Sequence, residues 1–189
     1  MEILFFLSIL CLIGFMILAT YDGAYLHLWK YELFNRDESL FEHKTHTARA
    51  ILFPLIVYLL FIDTSIIGFW IGLTLVAVDL IVLGIDAYSE KESRNFMNGL
   101  PQWEYIVHLF SNSLHFAAIV LIIAARTTIT SEGIIYSTEF MLFESYETVQ
   151  FIAVNILPGA IILGAVHLLL IFDFGKQLWN ANRLKITCC

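Results

Sequence analysis

The polar segment from Glu38 to Arg49 carries Glu42, His43 and His46 in a chain whose other long stretches are mostly apolar. If the segment is helical, Glu42 and His46 lie one turn apart and His43 lies three residues before His46, so these side chains can meet on one face. Imidazole and carboxylate groups together are ligands for zinc, iron or manganese. The segment therefore points to metal chemistry.

The Glu-x-x-x-His spacing recurs at Glu104 and His108, and His115 lies on the same helical stripe. Further Asp and His residues interrupt the apolar stretches. The candidate metal ligands are Asp22, His27, Glu42, His43, His46, Asp79, Asp86, Glu104, His108 and His167. Glu104 and Asp79 are also the predicted catalytic carboxylates, because a carboxylate left free beside a metal can act as a general base.

The elements that must position these residues are membrane-spanning helices. Of the 189 residues, 59% are hydrophobic and 14% are charged, whereas soluble domains average about 25% charged residues. Apolar runs of roughly 20 residues recur, which is the length that crosses a bilayer core. We predict an all-α, multi-pass transmembrane bundle forming a single domain over residues 1–189, with spans at about 3–28, 40–62, 66–88, 102–125 and 149–172.

The connections are predicted from their polar composition. Residues 89–101 read as a loop, and residues 127–148 as an acidic connection whose middle, 134–143, lies on the membrane surface. Pro54 is expected to kink the second helix. Residues beyond 172 read as a polar tail ending in Cys188 and Cys189, which are lipidation candidates, although reduced thiols in the cytosol are the simpler interpretation.

All the basic residues except Arg126 fall on one side of the five predicted spans. They are Lys30, Arg36, Lys44, Arg49, Lys91, Arg94, Lys176, Arg183 and Lys185. The positive-inside rule then predicts an outer N-terminus and a cytosolic C-terminus in a plasma (inner) membrane. With a rise of about 1.5 Å per residue, most of the candidate ligands fall in the cytosolic half of the membrane.

Titratable groups from five helices at one membrane level need a common partner. A charge near the bilayer centre costs about 3 kcal/mol or more unless it is paired or ligated, and a metal ion satisfies several such groups at once. Other interpretations stay open for single residues. His27 beside Trp29 could be an interfacial anchor, Asp22 and Asp79 could pair with Lys30 or Arg49, and Glu104 could favour a helix N-terminus.

The carboxylate-rich ligand set predicts a di-iron membrane enzyme that oxidises a lipidic or other hydrophobic substrate, with membrane lipid as its surroundings. Soluble di-iron bundles have a similar inventory but use Glu-x-x-His, which is one residue shorter. The net charge of −7 gives no reason to expect a nucleic acid partner.

Three alternatives compete with di-iron oxidation. A zinc hydrolase of lipid esters or amides would need three ligands and an open water position; it resembles in outline the sites of membrane ceramidases and adiponectin receptors, which have seven spans. A haem held by His108 and His167 would transfer electrons. Ion or proton transport is disfavoured, because the outer half of the predicted spans has few polar residues.

Overall fold

The computed structural model describes residues 1–131 and 133–187, with side chains up to residue 183. Cys188 and Cys189, the lipidation candidates, lie outside the described residues. Within the described part, five helical stretches are long and apolar enough to cross a membrane: Glu2–Asn35, Asp37–Ile62, Ile66–Ser93, Gln102–Ala125 and Glu144–Leu169. The prediction of a helical fold with five candidate spans is confirmed at this level.

The six α-helices of the described residues are joined by short irregular elements. They are α1 (Glu2–Ala19), α2 (Leu40–Val57), α3 (Ile66–Ser93), α4 (Gln102–Ala125), α5 (Glu144–Leu169) and α6 (Asp173–Thr187). Two π-helical segments extend α1 over Thr20–Lys30 and α2 over Tyr58–Ile62. Short 3₁₀ turns occupy Leu33–Asn35, Asp37–Ser39, Asn95–Met97 and Glu139–Leu142.

Several predicted boundaries are wrong. The helix α3 continues through Ser93, so the predicted loop at 89–101 is helical in its first part. A two-stranded antiparallel hairpin, β1 (Thr127–Thr130) and β2 (Gly133–Tyr136), and a 3₁₀ turn occupy much of the predicted acidic connection at 127–148. The predicted polar tail contains the helix α6, and α5 begins at Glu144, five residues earlier than expected.

The tight turn between the second and third spans follows directly from its sequence. Asp63 accepts a hydrogen bond from the backbone N–H of Ser65 at 2.9 Å, and the Ser65 hydroxyl donates to Asp63 at 2.7 Å. That hydroxyl oxygen also accepts from the N–H of Gly68 at 3.0 Å, which caps the first turn of α3. Side-chain oxygens thus satisfy backbone donors where the helix begins.

The interior divides into an apolar half and a polar half. Phe5, Ile56, Leu60, Ile122 and Val149 are buried together near the N-terminal ends of α1 and α5 and the C-terminal ends of α2 and α4. The buried His and carboxylate side chains collect in the opposite half. Because the first half is filled by apolar side chains, the buried polar residues can find hydrogen-bond or ion-pair partners only in the second half.

The helices α2 and α5 approach closely where Pro54 leaves a carbonyl without its helical donor. Proline has no N–H, so the carbonyl of Ala50 loses its usual partner four residues later. A Cβ atom placed on Gly164 would lie 2.8 Å from that carbonyl oxygen. Glycine therefore allows the α5 backbone to pack against the exposed carbonyl, as small residues do between membrane helices.

We expect the Gly164→Ala substitution to destabilise the protein by about 1–3 kcal/mol, because the added methyl group overlaps the α2 backbone. Gly159→Ala is the matched control on the same helix, since its Cβ would have no neighbour within 4 Å. That control should be neutral or more stable by up to about 1 kcal/mol, owing to the higher helix propensity of alanine. Thermal unfolding of the two variants in detergent measures the difference, and equal midpoints would contradict the proposed close packing.

Candidate metal centre

The π-helical segment Thr20–Lys30 brings Asp22 and His27 together. In an α-helix, residues five apart are rotated by about 140° around the axis. In a π-helix, hydrogen bonds run from residue i to i+5, so residues at that spacing lie on one face. His27 Nε2 is accordingly 3.4 Å from Asp22 Oδ1, and both residues are buried.

Asp22, His27 and His108 form the first group of possible metal ligands. His108 Nε2 reaches across from α4 to lie 3.0 Å from Asp22 Oδ1. The other ring nitrogen, Nδ1, lies 3.0 Å from Oε1 of Glu90, although not at a hydrogen-bonding angle. A carboxylate beside the free nitrogen of a histidine is the usual second partner of a metal ligand.

His27, Glu42 and His46 form the second group. Glu42 Oε1 lies 3.6 Å from His46 Nε2 and 3.9 Å from His27 Nε2. Asp86, on α3, adds a carboxylate oxygen 3.2 Å from His46 Nε2. The predicted one-turn relation between Glu42 and His46 is thus present in the structure, and α3 supplies a further carboxylate.

The separations given above fit one metal ion bound in each group. Metal–ligand bonds of about 2.1 Å place neighbouring ligands of a tetrahedral site roughly 3.4 Å apart. The separations above lie between 3.0 and 3.9 Å. Moreover, Glu42 Oε1 and His46 Nε2 are buried and have no hydrogen-bond partner among the described residues. Buried polar atoms normally have a partner, and a cation would supply it.

Arg94 contacts two carboxylates of the polar layer, those of Glu42 and Glu104. Its guanidinium is fully buried and donates to Glu42 Oε2 at 2.6 Å and to Glu104 Oε1 at 2.5 Å. Burial disfavours the charged form, but Glu42 and Glu104 outweigh it and raise the pKa of Arg94 above its ordinary value. Arg94 also lies 3.3 Å from His27 Nε2, so it competes with a metal ion for that nitrogen.

Asp79 lies apart from the two groups, in contact with Arg49 and His115. One carboxylate oxygen accepts from Arg49 Nε at 3.1 Å, and the other lies 3.2 Å from His115 Nε2. The Arg49 guanidinium also donates to Asn112 at 2.9 Å. Both oxygens of Asp79 therefore have protein partners, as the ion-pairing alternative expected.

His43 and His167 form a stacked pair beside the centre. Their rings are 5.3 Å apart between centroids and 17° from parallel. His43 Nε2 lies 3.1 Å from the carbonyl oxygen of His167, which fixes this nitrogen as a donor. The structure thus brings Asp22, His27, Glu42, His46, Asp86 and His108 together and places Asp79, Glu104, His43 and His167 in other contacts.

Two residues of the site were not singled out by sequence reasoning. Glu90 and Arg94 fell in the segment that was predicted to be a loop. A helical stripe was nevertheless visible, since Asp79, Asp86 and Glu90 follow one another at seven and four residues. Extending that stripe past Tyr88 would have placed Glu90 beside the ligands.

A cavity of about 100 Å³ borders the centre. Its polar end includes Asp22, His46, Asp86, Glu90 and His108. Its walls farther along are largely apolar and come from α1, α2 and α5, with Phe15, Met16, Phe53, Ala160 and Leu163. The arrangement can place an apolar molecule next to a metal ion.

No known protein-family model matches the sequence, and neither a curated protein nor a solved structure shows significant similarity to it.

Proposed function

We propose that the protein is an integral membrane metalloenzyme that binds two divalent metal ions and oxidises a hydrophobic substrate. The observation that carries the proposal is the pair of three-ligand groups, Asp22–His27–His108, which is buried, and His27–Glu42–His46, in which His46 is partly buried. Asp86 lies beside His46 of the second group, and Glu90 lies beside His108 of the first. Two ions can be held if His27 ligates one of them and Asp86 completes the set of the other.

The charge of the polar layer supports two ions. Six buried carboxylates belong to it: Asp22, Glu42, Asp79, Asp86, Glu90 and Glu104. Two guanidiniums, those of Arg49 and Arg94, offset two of these charges. Among the described residues, and with the histidines neutral and the six carboxylates ionised, the remaining four negative charges equal the charge of two divalent cations. Unpaired charges at this depth are costly, so bound cations would stabilise the folded protein.

The cavity and the ligand set support the kind of chemistry. Mixed carboxylate and imidazole ligands suit iron, manganese and zinc, and a pair of iron ions would supply redox chemistry. The apolar walls of the cavity suit a lipidic substrate entering from the bilayer. The residues of the chain would exclude water there and orient the substrate toward Asp22, His46 and His108.

A second candidate is a mononuclear zinc hydrolase. It is favoured by one observation: both groups share Nε2 of His27, and one nitrogen lone pair binds one ion. Asp22, His27 and His108 alone match the three protein ligands of a catalytic zinc site with one open position. Glu42 Oε1, which has no hydrogen-bond partner among the described residues, would then be the general base.

Metal analysis by mass spectrometry distinguishes these functions. We expect about two iron ions per chain in protein purified without chelators, following the charge balance. About one zinc ion per chain would favour the hydrolase, and metal-free protein would contradict both. An absorption spectrum of the same sample tests the haem alternative, for which the structure offers less support because His108 contacts Asp22 and Glu90 while His167 stacks on His43.

We also propose that the N-terminus lies outside a plasma (inner) membrane and that the metal centre is nearer the cytosol. The support is the concentration of Lys and Arg at the connections on the metal side of the bundle. Reporter fusions at both termini test this orientation. Activity of a periplasmic reporter at the N-terminus and of a cytosolic reporter at the C-terminus is the expected result, and the reverse pattern would refute it.

A further inference from the structure

The cavity has a second polar end formed by Asp79 and His115. His115 is 3% exposed and lines the cavity two helical turns beyond His108. Phe15, Phe53 and Phe116 surround its ring, with centroid distances of 4.6, 5.7 and 4.8 Å. An imidazole placed in this apolar environment needs partners for both of its nitrogens.

Only one of the two nitrogens has a partner among the described residues. His115 Nε2 lies 3.2 Å from Asp79 Oδ2. A carboxylate can only accept, so Nε2 carries the proton, and in the neutral ring Nδ1 is left as an acceptor. Nδ1 is buried and has no hydrogen-bond partner among the side chains and backbone that the structure describes. In the described structure this nitrogen is a buried acceptor without a donor.

Two residues that carry donors line the same cavity as His115. Arg49 uses Nε on Asp79 and one amino group on the side-chain oxygen of Asn112, and both Arg49 and Asn112 line the cavity. Because the Asn112 oxygen accepts from Arg49, its amide NH₂ remains available to donate. The far end of the cavity thus combines one acceptor with several donors.

We propose that this end of the cavity binds the hydroxyl group of a long-chain alcohol or hydroxylated lipid. The hydroxyl hydrogen donates to His115 Nδ1, and the hydroxyl oxygen accepts from Asn112 or Arg49. A carboxylate is disfavoured, because it has no hydrogen to donate and the surrounding layer already carries excess negative charge. An ammonium group is disfavoured because both oxygens of Asp79 are engaged.

The binding site sets the distance between the hydroxyl group and the metal centre. His115 lies seven residues after His108, which corresponds to roughly 10 Å along the helix axis. The assignment of the hydroxylated molecule as the substrate rests on the proposed function. In that case the reacting carbon lies well along the hydrocarbon chain, away from the hydroxyl group, and not beside it.

Photolabelling of the full-length protein in phosphatidylcholine vesicles tests the binding site. The probe is a long-chain primary alcohol that carries an alkyl diazirine, and peptide mass spectrometry locates the label. Dodecanol, its methyl ether and dodecane are added as competitors at equal mole fractions in the lipid. The ether keeps the oxygen acceptor and lacks the donor hydrogen. We expect label on Phe15, Met16 or Leu163, and about tenfold stronger competition by dodecanol than by the ether.

The His115→Phe substitution keeps an aromatic ring among its aromatic neighbours and removes the acceptor. We expect it to abolish the difference between dodecanol and the ether, whereas Ser113→Ala, at an exposed position of the same helix, should retain it. Equal competition by the two compounds in the wild-type protein would overturn the proposal even if His115→Phe fails to fold. Retained discrimination in a folded His115→Phe variant would also overturn it.

A chelator-treated sample separates this proposal from the proposed function. The hydroxyl site and the metal ligands share a cavity but not their contacts, so dodecanol should still compete better than the ether after metal removal. If metal analysis finds no bound metal and dodecanol still competes better than the ether, the hydroxyl site is supported and the proposed enzymatic function is wrong. If metal is present and the discrimination is absent, only the hydroxyl site is wrong.

Discussion

Replacement of His27 by alanine is expected to lower the affinity for one metal ion by more than about 100-fold. The ring nitrogen Nε2 of His27 lies near the carboxylates of both ligand groups, but it ligates a single ion, so its loss leaves that ion with two ligands of its group. Removal of a group that only supports a ligand already costs about 10–100-fold in metal affinity, and loss of a ligand should cost more. Metal content per chain, measured after dialysis against buffer with a defined free metal concentration, reports the effect.

The matched control is His43→Ala. His43 is as buried as His27 and lies close to the centre. Its Nε2 donates a hydrogen bond to the backbone carbonyl of His167, and it belongs to neither ligand group. We expect this variant to keep its metal if it folds. Full occupancy in the His27→Ala variant, or equal losses in both variants, would mean that the ligand groups are wrongly assigned.

Replacement of Arg94 by methionine is expected to destabilise the protein by about 3–5 kcal/mol, because it leaves buried carboxylates without their counter-charge. Arg94 contacts Glu42, Glu104 and the ring of Tyr31. Methionine retains a long apolar side chain, so little of the expected loss comes from packing. The free energy of unfolding in mixed detergent and SDS micelles measures the change.

Two further variants define the cause of that loss. Lys91→Met removes a cation from an exposed position one turn earlier and should change stability by less than about 0.5 kcal/mol. Glu104→Gln in the Arg94→Met background removes one unpaired charge and should restore part of the stability. If the double variant is no more stable than Arg94→Met alone, the pair is not the source of the effect.

Helical periodicity was enough to predict five spans and the relation of Glu42 to His46, because side chains one turn apart on a helix meet whatever the rest of the fold does. It was also enough to place His108 on the inner face of α4. The depth of each residue along its helix then predicted a common polar layer. Those inferences need only the helix rise and the cost of burying charge in lipid.

The remaining contacts depended on information that periodicity does not contain. The pairing of Asp79 with Arg49, and of Glu104 with Arg94, is decided by which guanidinium lies nearer, and that depends on how the helices pack. The end of α3 was misplaced because its last turns are polar, which is typical of a loop in water but also of a helix facing a polar site. The hairpin at 127–136 was missed because its residues include neither a strong turn signal nor a long alternation.

The π-helical segment that follows α1 limits which changes in chain length the protein can tolerate. The π-helix is rare in proteins, and the α-helix is the conformation that such a helical segment usually adopts. The local preference of Thr20–Lys30 and the requirement that Asp22 and His27 share a face are therefore opposed. A single-residue deletion there would regularise the backbone while turning the imidazole away from its neighbours, so the length of this segment is constrained more tightly than its composition.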